Sequence, residues 1–246
     1  MCFSCTLTTP PGYLRADVIE FSAMNQPIKM ILASNSPRRR ELLGLFDRHF
    51  DVLPADVDEA VLPGEAPPKY VQRLADSKAR FVGAQIGTVA LVVAADTTVV
   101  DGAPDGGFEI LGKPIDAADA ERMLRQLRGR AHRVYTALAV LRTSDGRMET
   151  DICCTDVPMR DYSDAEMLDY IASGDPLDKA GAYAIQHAGF RPAEVNQCYA
   201  NVVGFPLCHF TRLLRKFDLE PEVDIPLTCQ QQFEYSCPVF DSILRE

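Results

Sequence analysis

The sequence predicts an α/β protein with a mixed β-sheet, and three observations carry that prediction. Short apolar runs at 29–33 and 89–94 have the length and hydrophobicity of buried strands. Segments with apolar residues at helical spacing alternate with these runs, as at 116–128. Two longer strand patterns flank a Ser-Asp-Gly sequence at 144–146, which is typical of a hairpin turn. Part of the sheet is therefore expected to be antiparallel.

The individual elements follow from local signals along the chain. Pro37 suits the first position of a helix, and Ser163 with Glu166 forms a capping box that starts another. Glycine-containing segments at 181–186 and 199–204 are expected to be strands or turns. Predicted strands cover residues 29–33, 50–53, 89–94, 132–141 and 148–159. Predicted helices cover residues 37–46, 71–82, 116–128, 163–171 and 206–217.

The composition is that of a globular chain and excludes several function classes. The 246 residues are 47% hydrophobic and 24% charged, which allows one large domain or two packed lobes. A net charge of −10 argues against a nucleic acid polymer or an anionic membrane as partner. No apolar run approaches the roughly 20 residues that span a bilayer.

Both ends of the chain differ from its middle. Residues 1–28 have little periodicity and are expected to form a poorly ordered extension. Residues 218–246 form an acidic tail with seven acidic residues and one basic residue, Arg245. Cys2 and Cys5 form a C-x-x-C pair, but no second pair has zinc spacing. Eight cysteines are too dilute for a disulfide scaffold and no secretory signal precedes them, so we expect reduced thiols and a cytoplasmic protein.

The turn after the first strand has the composition of an anion-binding site. Ser34 and Ser36 precede Pro37, and a strand that enters a helix through small polar residues presents free backbone N–H groups at the positive end of the helix dipole. Arg38 and the two arginines after it add charge-assisted donors for phosphate oxygens. The alternative is a well-capped helix whose arginines are solvated.

Carboxylates and lysines complete the candidate site. Asp96 is expected at the end of a buried strand, where open α/β sheets bind ligands, although a turn-initiating aspartate is the alternative. Glu59 lies in an acidic loop with Asp56 and Asp58, which is either a solvated loop or a source of ligands for a hard divalent ion. Three lysines join them as candidate anion ligands: Lys78, Lys113 and Lys179.

Lys78 lies on the apolar stripe of its helix, so it needs a buried anion unless its ammonium reaches the edge of the protein. Several cationic groups, a strand carboxylate and further carboxylates for a metal together indicate hydrolysis of a phosphate ester or anhydride. These residues by themselves do not choose the substrate.

Five ordered motifs resemble the signature of the Maf (septum formation inhibitor) proteins over about residues 29–217. They are ILASNSPRRRELL at 31–43, ADTTVV at 95–100, LGKP at 111–114, GDPLDKAGAYAIQ at 174–186 and YANVVGFPL at 199–207. The resemblance implies an elongated two-lobed fold of the inosine-triphosphatase kind, with the site in a central cleft. It also implies a nucleoside triphosphate pyrophosphatase that releases a nucleoside monophosphate and pyrophosphate, and a homodimer at the level of the family.

The resemblance also assigns roles to residues. Asp96 falls on the family's proton acceptor, while Arg38, Thr97 and Gln186 fall on positions that set substrate choice. This set looks like the dTTP/UTP-preferring branch. We expect Mg²⁺ or Mn²⁺ as cofactor, with Glu59 and Asp96 as its ligands. The residues expected to hold the nucleotide are Ser34, Arg38, Lys78, Thr97, Lys113, Lys179 and Gln186.

Two departures from the family pattern leave other functions open. His187 follows Gln186 where the branch has glycine, and Gln197 with Cys198 replaces a small-residue pair before the tyrosine. These differences put the shape of the base pocket in question. One alternative is therefore a pyrophosphatase for modified or non-standard nucleotides. The other is a non-catalytic regulator of cell division that senses nucleotides.

Overall fold

The computed structural model describes residues 28–102, 106–186 and 189–245. The predicted N-terminal extension, with Cys2 and Cys5, lies outside the described residues except for Ile28. His187 also lies outside them. No helix in the described part of the chain is long and apolar enough to cross a membrane.

A six-stranded mixed sheet forms the centre of the fold and confirms the predicted α/β class. Its strands follow the order β2-β1-β3-β5-β6, and β4 also pairs with β3. The pairs β1–β2 and β1–β3 are parallel, and all the other pairs are antiparallel. The strands are β1 (Lys29–Leu32), β2 (Phe50–Val52), β3 (Ala90–Gly102), β4 (Phe108–Leu111), β5 (Ala131–Arg142) and β6 (Met148–Pro158).

Helices cover both faces of this sheet. Ser36 caps α1 by accepting from the backbone N–H of Arg39, and Ser163 with Glu166 forms the predicted capping box of α4. Two short 3₁₀ turns, Asp175–Asp178 and Ala180–Ala182, follow α4. The helices are α1 (Pro37–Gly44), α2 (Pro67–Gly83), α3 (Ala117–Leu127), α4 (Asp164–Ala172), α5 (Tyr199–Val203), α6 (Leu207–Arg215), α7 (Ile225–Phe233) and α8 (Phe240–Arg245).

The sheet separates two apolar cores. Val92 and Ala94 of β3 belong to the smaller core, which α2 closes on one face. Leu91 and Val93 belong to the larger core on the opposite face, together with residues of α1, α3 and α6. Successive residues of a strand point to opposite faces. Asp96 therefore faces the α2 layer, and the next residue faces the layer that holds α1.

One edge of β3 changes partner near its middle. β1 pairs with it up to Val93, and β4 pairs with it from Val99 onward. Among the described strands, none pairs with residues 94–98 on this edge, whereas β5 pairs with β3 without interruption on the other. β1 and β4 both end at this gap, so the loops that follow them converge there. The gap therefore leaves the middle of β3 open on one edge, while β3 and β5 continue through it as one sheet.

Two local predictions are wrong. Asp96 does not end its strand, because pairing with β5 carries β3 on to Gly102. Residues 199–203 form helix α5 instead of a strand or turn, and Gly204 ends that helix in the left-handed conformation. The acidic tail is helical in α7 and α8, and its Ile225 is buried in the larger core.

Candidate active site

The gap in the sheet opens into a cleft of about 390 Å³. Its walls come from the loop after β1, the first turn of α1, the loop before α2, and the segments around α5 and the 3₁₀ turns. The site residues predicted from sequence that line it are Ser34, Arg38, Glu59, Lys78, Thr97, Lys113, Lys179 and Gln186. Asp56 and Asp58 are exposed and do not line it, so Glu59 is the acidic residue that this loop contributes to the wall.

Lys78 connects the two carboxylates predicted as metal ligands. Its Nζ atom lies 2.6 Å from Oδ1 of Asp96 and 2.6 Å from Oε1 of Glu59. Asp96 is 6% exposed and lies against Lys78 without forming part of the cleft wall. The prediction that Lys78 needs a buried anion is confirmed, and in this structure the anion is supplied by the protein.

The protonation of this cluster follows from burial and charge. Burial raises the pKa of Asp96, although the charges of Lys78 and Arg39 oppose the rise. Burial also acts to raise the pKa of Glu59, but the hydrogen bond and charge of Lys78 outweigh it, so the pKa is lowered. A raised pKa brings Asp96 closer to the range in which a carboxylate accepts a proton efficiently at neutral pH.

Tyr70 of α2 holds the loop that carries Glu59. Its hydroxyl donates to the backbone carbonyl of Glu59 over 3.0 Å, and burial raises the pKa of Tyr70 to about 12. The tyrosine therefore remains a neutral donor throughout the physiological range. This contact places the Glu59 side chain within reach of Lys78.

Arg39, not Arg38, makes the contact between α1 and β3. Its Nη2 atom donates to Oγ1 of Thr97 over 3.0 Å, and its Nε atom donates to the carbonyl of Gly204 over 3.0 Å. Burial lowers the pKa of Arg39, and the charge of Asp96 opposes that change. Arg39 thus joins the first turn of α1 to the strand and to the end of α5.

Hydrogen bonds behind Thr97 fix the direction of its hydroxyl. The Oγ1 atoms of Thr97 and Thr136 are 3.0 Å apart, and Thr136 donates its proton to the carbonyl of Asn201. Asn201 is fully buried and its amide donates to Val134 O and to Oγ1 of Thr155. Because the Thr136 proton is already engaged, Thr97 donates to Thr136. Arg39 occupies one lone pair of the Thr97 oxygen, and the second is left for an incoming donor.

Gly204 allows α5 to approach this network. Its φ of 111° is one that residues with a side chain rarely adopt. A Cβ atom at this position would lie 3.1 Å from Oγ1 of Thr97 and 3.8 Å from Nε of Arg39. Glycine is therefore required both by the backbone conformation and by the space beside Thr97.

Arg38 and Lys179 form a second charged group on the cleft wall. Nη1 of Arg38 lies 3.6 Å from Oδ2 of Asp178. Lys179 is 7% exposed, and its ammonium contacts Oδ1 of Asp178, Oδ1 of Asp175 and the carbonyl of Asp175. The three donors of Lys179 are thus engaged within the protein, which leaves Arg38 as the more available cation of this group.

The remaining predicted ligands differ in how the fold holds them. Ser34 is buried and its hydroxyl accepts from the backbone N–H of Ser36, so it shapes the turn. Lys113 is exposed at the end of β4, on the side of the cleft that faces the Glu59 loop, and its charge contributes to the lowered pKa of Glu59. Gln186 is exposed on the wall beside Ile185.

Sequence reasoning missed Tyr70, Thr136 and Asn201 as site residues, and it offered Arg39 only as a donor for phosphate oxygens. Asn201 lies in the fifth motif, and an amide in an otherwise apolar run was a usable signal. The role of Thr136 had no signal in sequence, because it depends on the β3–β5 register that sets it opposite Thr97.

Glu59 and Asp96 are the carboxylates that could hold a hard divalent ion sharing its ligands with the substrate. Glu59 and Asp96 already converge on one cation, the ammonium of Lys78. Among the described residues no group of three or more His, Cys, Asp or Glu side chains could hold a metal. Two carboxylates completed by phosphate oxygens and water are typical of Mg²⁺ sites in phosphoryl-transfer enzymes.

Comparison with known proteins identifies the family of the chain. The chain matches the family described as Maf-like protein over residues 29–217. It belongs to the Maf family. All five motifs fall inside the matched region, and both the cleft and its carboxylates are built from it.

Curated Maf relatives cover most of the family region. A protein of Anaeromyxobacter dehalogenans named dTTP/UTP pyrophosphatase is 49% identical over 191 residues, which are 76% of this chain and 93% of the relative. One of Myxococcus xanthus with the same name is 48% identical, over 77% of this chain and 93% of the relative. Among solved structures, a HAM1 protein from Coxiella burnetii is similar with a TM-score of 0.44 and 15% identity, over 72% of this chain and 95% of that one.

Proposed function

We propose that this Maf protein hydrolyses the α–β phosphoanhydride of dTTP and UTP to the nucleoside monophosphate and pyrophosphate. The observation that carries the proposal is the buried Lys78–Asp96 pair beneath a cleft lined with cationic groups. The activity itself is the one by which the curated relatives are named.

The phosphate-binding part of the proposal rests on the first turn of α1. The chain enters that helix at Ser36, so the backbone N–H groups of its first turn point toward the cleft end of the helix. Arg38 and Lys113 add positive charge on two sides of the cleft. A triphosphate is the kind of small, highly charged anion that this arrangement favours, even though the whole chain is acidic.

The chemistry rests on competition for the Lys78 ammonium. A bound triphosphate offers Lys78 a stronger anion than the carboxylates that it contacts in this structure. As the ammonium turns toward phosphate, Asp96 becomes free to accept a proton from water. The water oxygen forms a bond to the α-phosphorus, its proton passes to Asp96, and the bond to the bridging oxygen breaks to release pyrophosphate. A divalent ion held by Glu59 and one carboxylate oxygen of Asp96 would supply charge neutralisation on the phosphate oxygens, and the other oxygen of Asp96 would accept the proton.

Base preference rests on the acceptor lone pair of Thr97. Uracil and thymine carry an N–H at position 3, whereas cytosine carries an acceptor nitrogen there. A fixed acceptor in the cleft therefore favours the first two bases, because cytosine would leave it unpaired. Gln186 can both donate and accept and is suited to a neighbouring base carbonyl.

A nucleotide panel tests the proposed function. Pyrophosphate and monophosphate are measured for dTTP, UTP, CTP, dATP, GTP and a base-modified UTP, with Mg²⁺, with Mn²⁺ and with chelator. We expect release from dTTP and UTP only when metal is present. Nucleotide binding without pyrophosphate release would instead favour a non-catalytic regulator that senses nucleotides. Preferential pyrophosphate release from the modified nucleotide would favour a pyrophosphatase for modified or non-standard nucleotides.

Two further properties belong to the same proposal. The six described cysteines are free thiols, which supports a reducing compartment such as the cytoplasm. The homodimer implied at the level of the family stays a prediction, and sedimentation analysis of the purified protein tests it.

A further inference from the structure

The tail at 218–245 lies beyond the residues that match the Maf family, yet it contacts a segment that builds the cleft. Phe233 at the end of α7 and Tyr235 just after it both pack on Tyr199, the first residue of α5. The ring centroids lie 4.7 Å and 5.5 Å from that of Tyr199. Between them Glu234 adopts a left-handed conformation with φ of 48°, which ends α7.

Tyr199 carries this contact to the wall of the cleft. Its hydroxyl donates to the carbonyl of Ile185 over 3.2 Å. Ile185 is buried on the wall, and the adjacent Gln186 is the residue assigned above to the base carbonyl. Tyr199 also begins α5, whose Val202 lines the same cleft. Tyr199 therefore connects the tail to two parts of the cleft wall, because its side chain bonds Ile185 and its backbone begins α5.

The tail makes two more hydrogen bonds near the cleft. The Tyr235 hydroxyl donates to the carbonyl of Gln197 over 2.9 Å. The Gln232 amide donates to Oε1 of Glu41 over 2.8 Å, and Glu41 belongs to α1, the helix that carries the cleft arginines. The tail thus contacts both the helix assigned to phosphate and the segment assigned to the base.

We propose that the C-terminal tail is a positioning element for the nucleotide pocket and that it acts through Tyr199. The identity of the nucleotide rests on the proposed function, whereas the effect of the tail on the cleft wall does not. Phe233 and Tyr235 hold the Tyr199 ring, and Tyr199 in turn holds the backbone of Ile185, next to Gln186 on the cleft wall. Tyr199, Phe233 and Tyr235 are positioning residues, because none of these three lines the cleft.

The first test needs no substrate. Hydrogen–deuterium exchange of residues 183–186 is compared between the full-length protein and its Phe233→Ala variant. We expect exchange there to accelerate about fivefold, in line with the loss of one aromatic pair. Leu227→Ala is the matched control, because Leu227 is an exposed apolar residue of the same helix, and it should leave that exchange unchanged.

The second test separates positioning from general stability. With UTP as substrate, Phe233→Ala and Tyr199→Phe should each raise KM about fivefold while kcat stays within about twofold, and Phe233→Tyr should restore the original KM. Tyr199→Phe keeps the aromatic packing with Phe233 and Tyr235 and removes only the hydrogen bond to the Ile185 carbonyl. It therefore tests the positioning role even if Phe233→Ala does not fold.

Failure of the positioning proposal can be distinguished from failure of the proposed function. Unchanged exchange at 183–186 together with unchanged KM, in a variant whose tail exchanges faster, would overturn the proposal and leave the tail a purely stabilising element. If the parent protein releases no pyrophosphate from any nucleotide, the proposed function is wrong. The exchange measurement then still decides whether the tail positions the wall of the cleft.

Discussion

Lys78 of α2 and Asp96 of β3 form an ion pair with 2.6 Å between Nζ and Oδ1, and their side chains are only 10% and 9% exposed. Removing one member of such a pair leaves an uncompensated buried charge, whereas a neutral isostere keeps most of the packing. The pair lies where β1 and β4 leave one edge of β3 unpaired. Its position therefore follows from the gap in the sheet.

Asp96→Asn should reduce pyrophosphate release from UTP by about 10³-fold, because the amide cannot accept the proton of the attacking water. The measurement is single-turnover release with circular dichroism to confirm folding. Asp101→Asn is the matched control, since Asp101 is a buried aspartate of the same strand outside the cleft wall, and it should retain most of the rate. An Asp96→Asn variant with near-normal release would contradict the assigned role.

Thr136→Val should lower the preference for UTP over CTP by about tenfold. The substitution removes the acceptor that fixes the Thr97 hydroxyl, so this hydroxyl becomes free to donate to the cytosine nitrogen. The ratio of kcat/KM for the two nucleotides measures the effect. Thr143→Val removes a hydroxyl that bonds Thr88 O and the backbone N–H of Ala90 at the far end of the sheet, and it should leave the ratio unchanged.

Gly204→Ala should lower both stability and kcat/KM, the latter by at least about tenfold, because its Cβ displaces Thr97 and Arg39. Gly146→Ala is the matched control. Gly146 also has a positive φ, of 72°, but a Cβ there meets no atom within 4 Å. Each variant should lose about 1 kcal/mol of folding free energy from backbone strain. Equal kinetic effects from the two would contradict the steric argument.

His132 should make folding stability depend on pH. Burial lowers the pKa of His132 to about 4, against an opposing effect of Asp101, and its Nε2 atom lies 2.7 Å from the Tyr183 hydroxyl. The folded state therefore binds fewer protons than the unfolded state between pH 4 and 6.5. The contribution of neutral His132 to the free energy of unfolding should be fully present above pH 6.5. It should fall by up to about 3 kcal/mol as the pH drops to 4.

Urea unfolding across this pH range measures the effect, with His132→Gln as the comparison. The variant lacks the titrating ring, so its free energy of unfolding should change less steeply between pH 6.5 and 4. An identical slope in the two proteins would assign the acid sensitivity to other groups.

Most elements of the fold could be predicted from local pattern. The apolar runs at 29–33 and 89–94, the hairpin signal at 144–146 and the capping box at Ser163 all correspond to observed elements. The continuation of β3 beyond Asp96 could not be predicted, because it depends on pairing with β5, which begins only at Ala131. Helix α5 was missed because five residues before a glycine carry too little periodicity.

The sequence by itself determined the fold class, the charged residues available for phosphate chemistry and the five motifs that mark the family. These features are local, because they depend on residue type and short spacing. Only the tertiary structure decided that Arg39 rather than Arg38 contacts Thr97, that Lys78 is paired with Asp96 and Glu59, and that the acidic tail packs on Tyr199. Each of these relationships joins residues far apart in the chain, and the register of the strands and the packing of the helices bring them together.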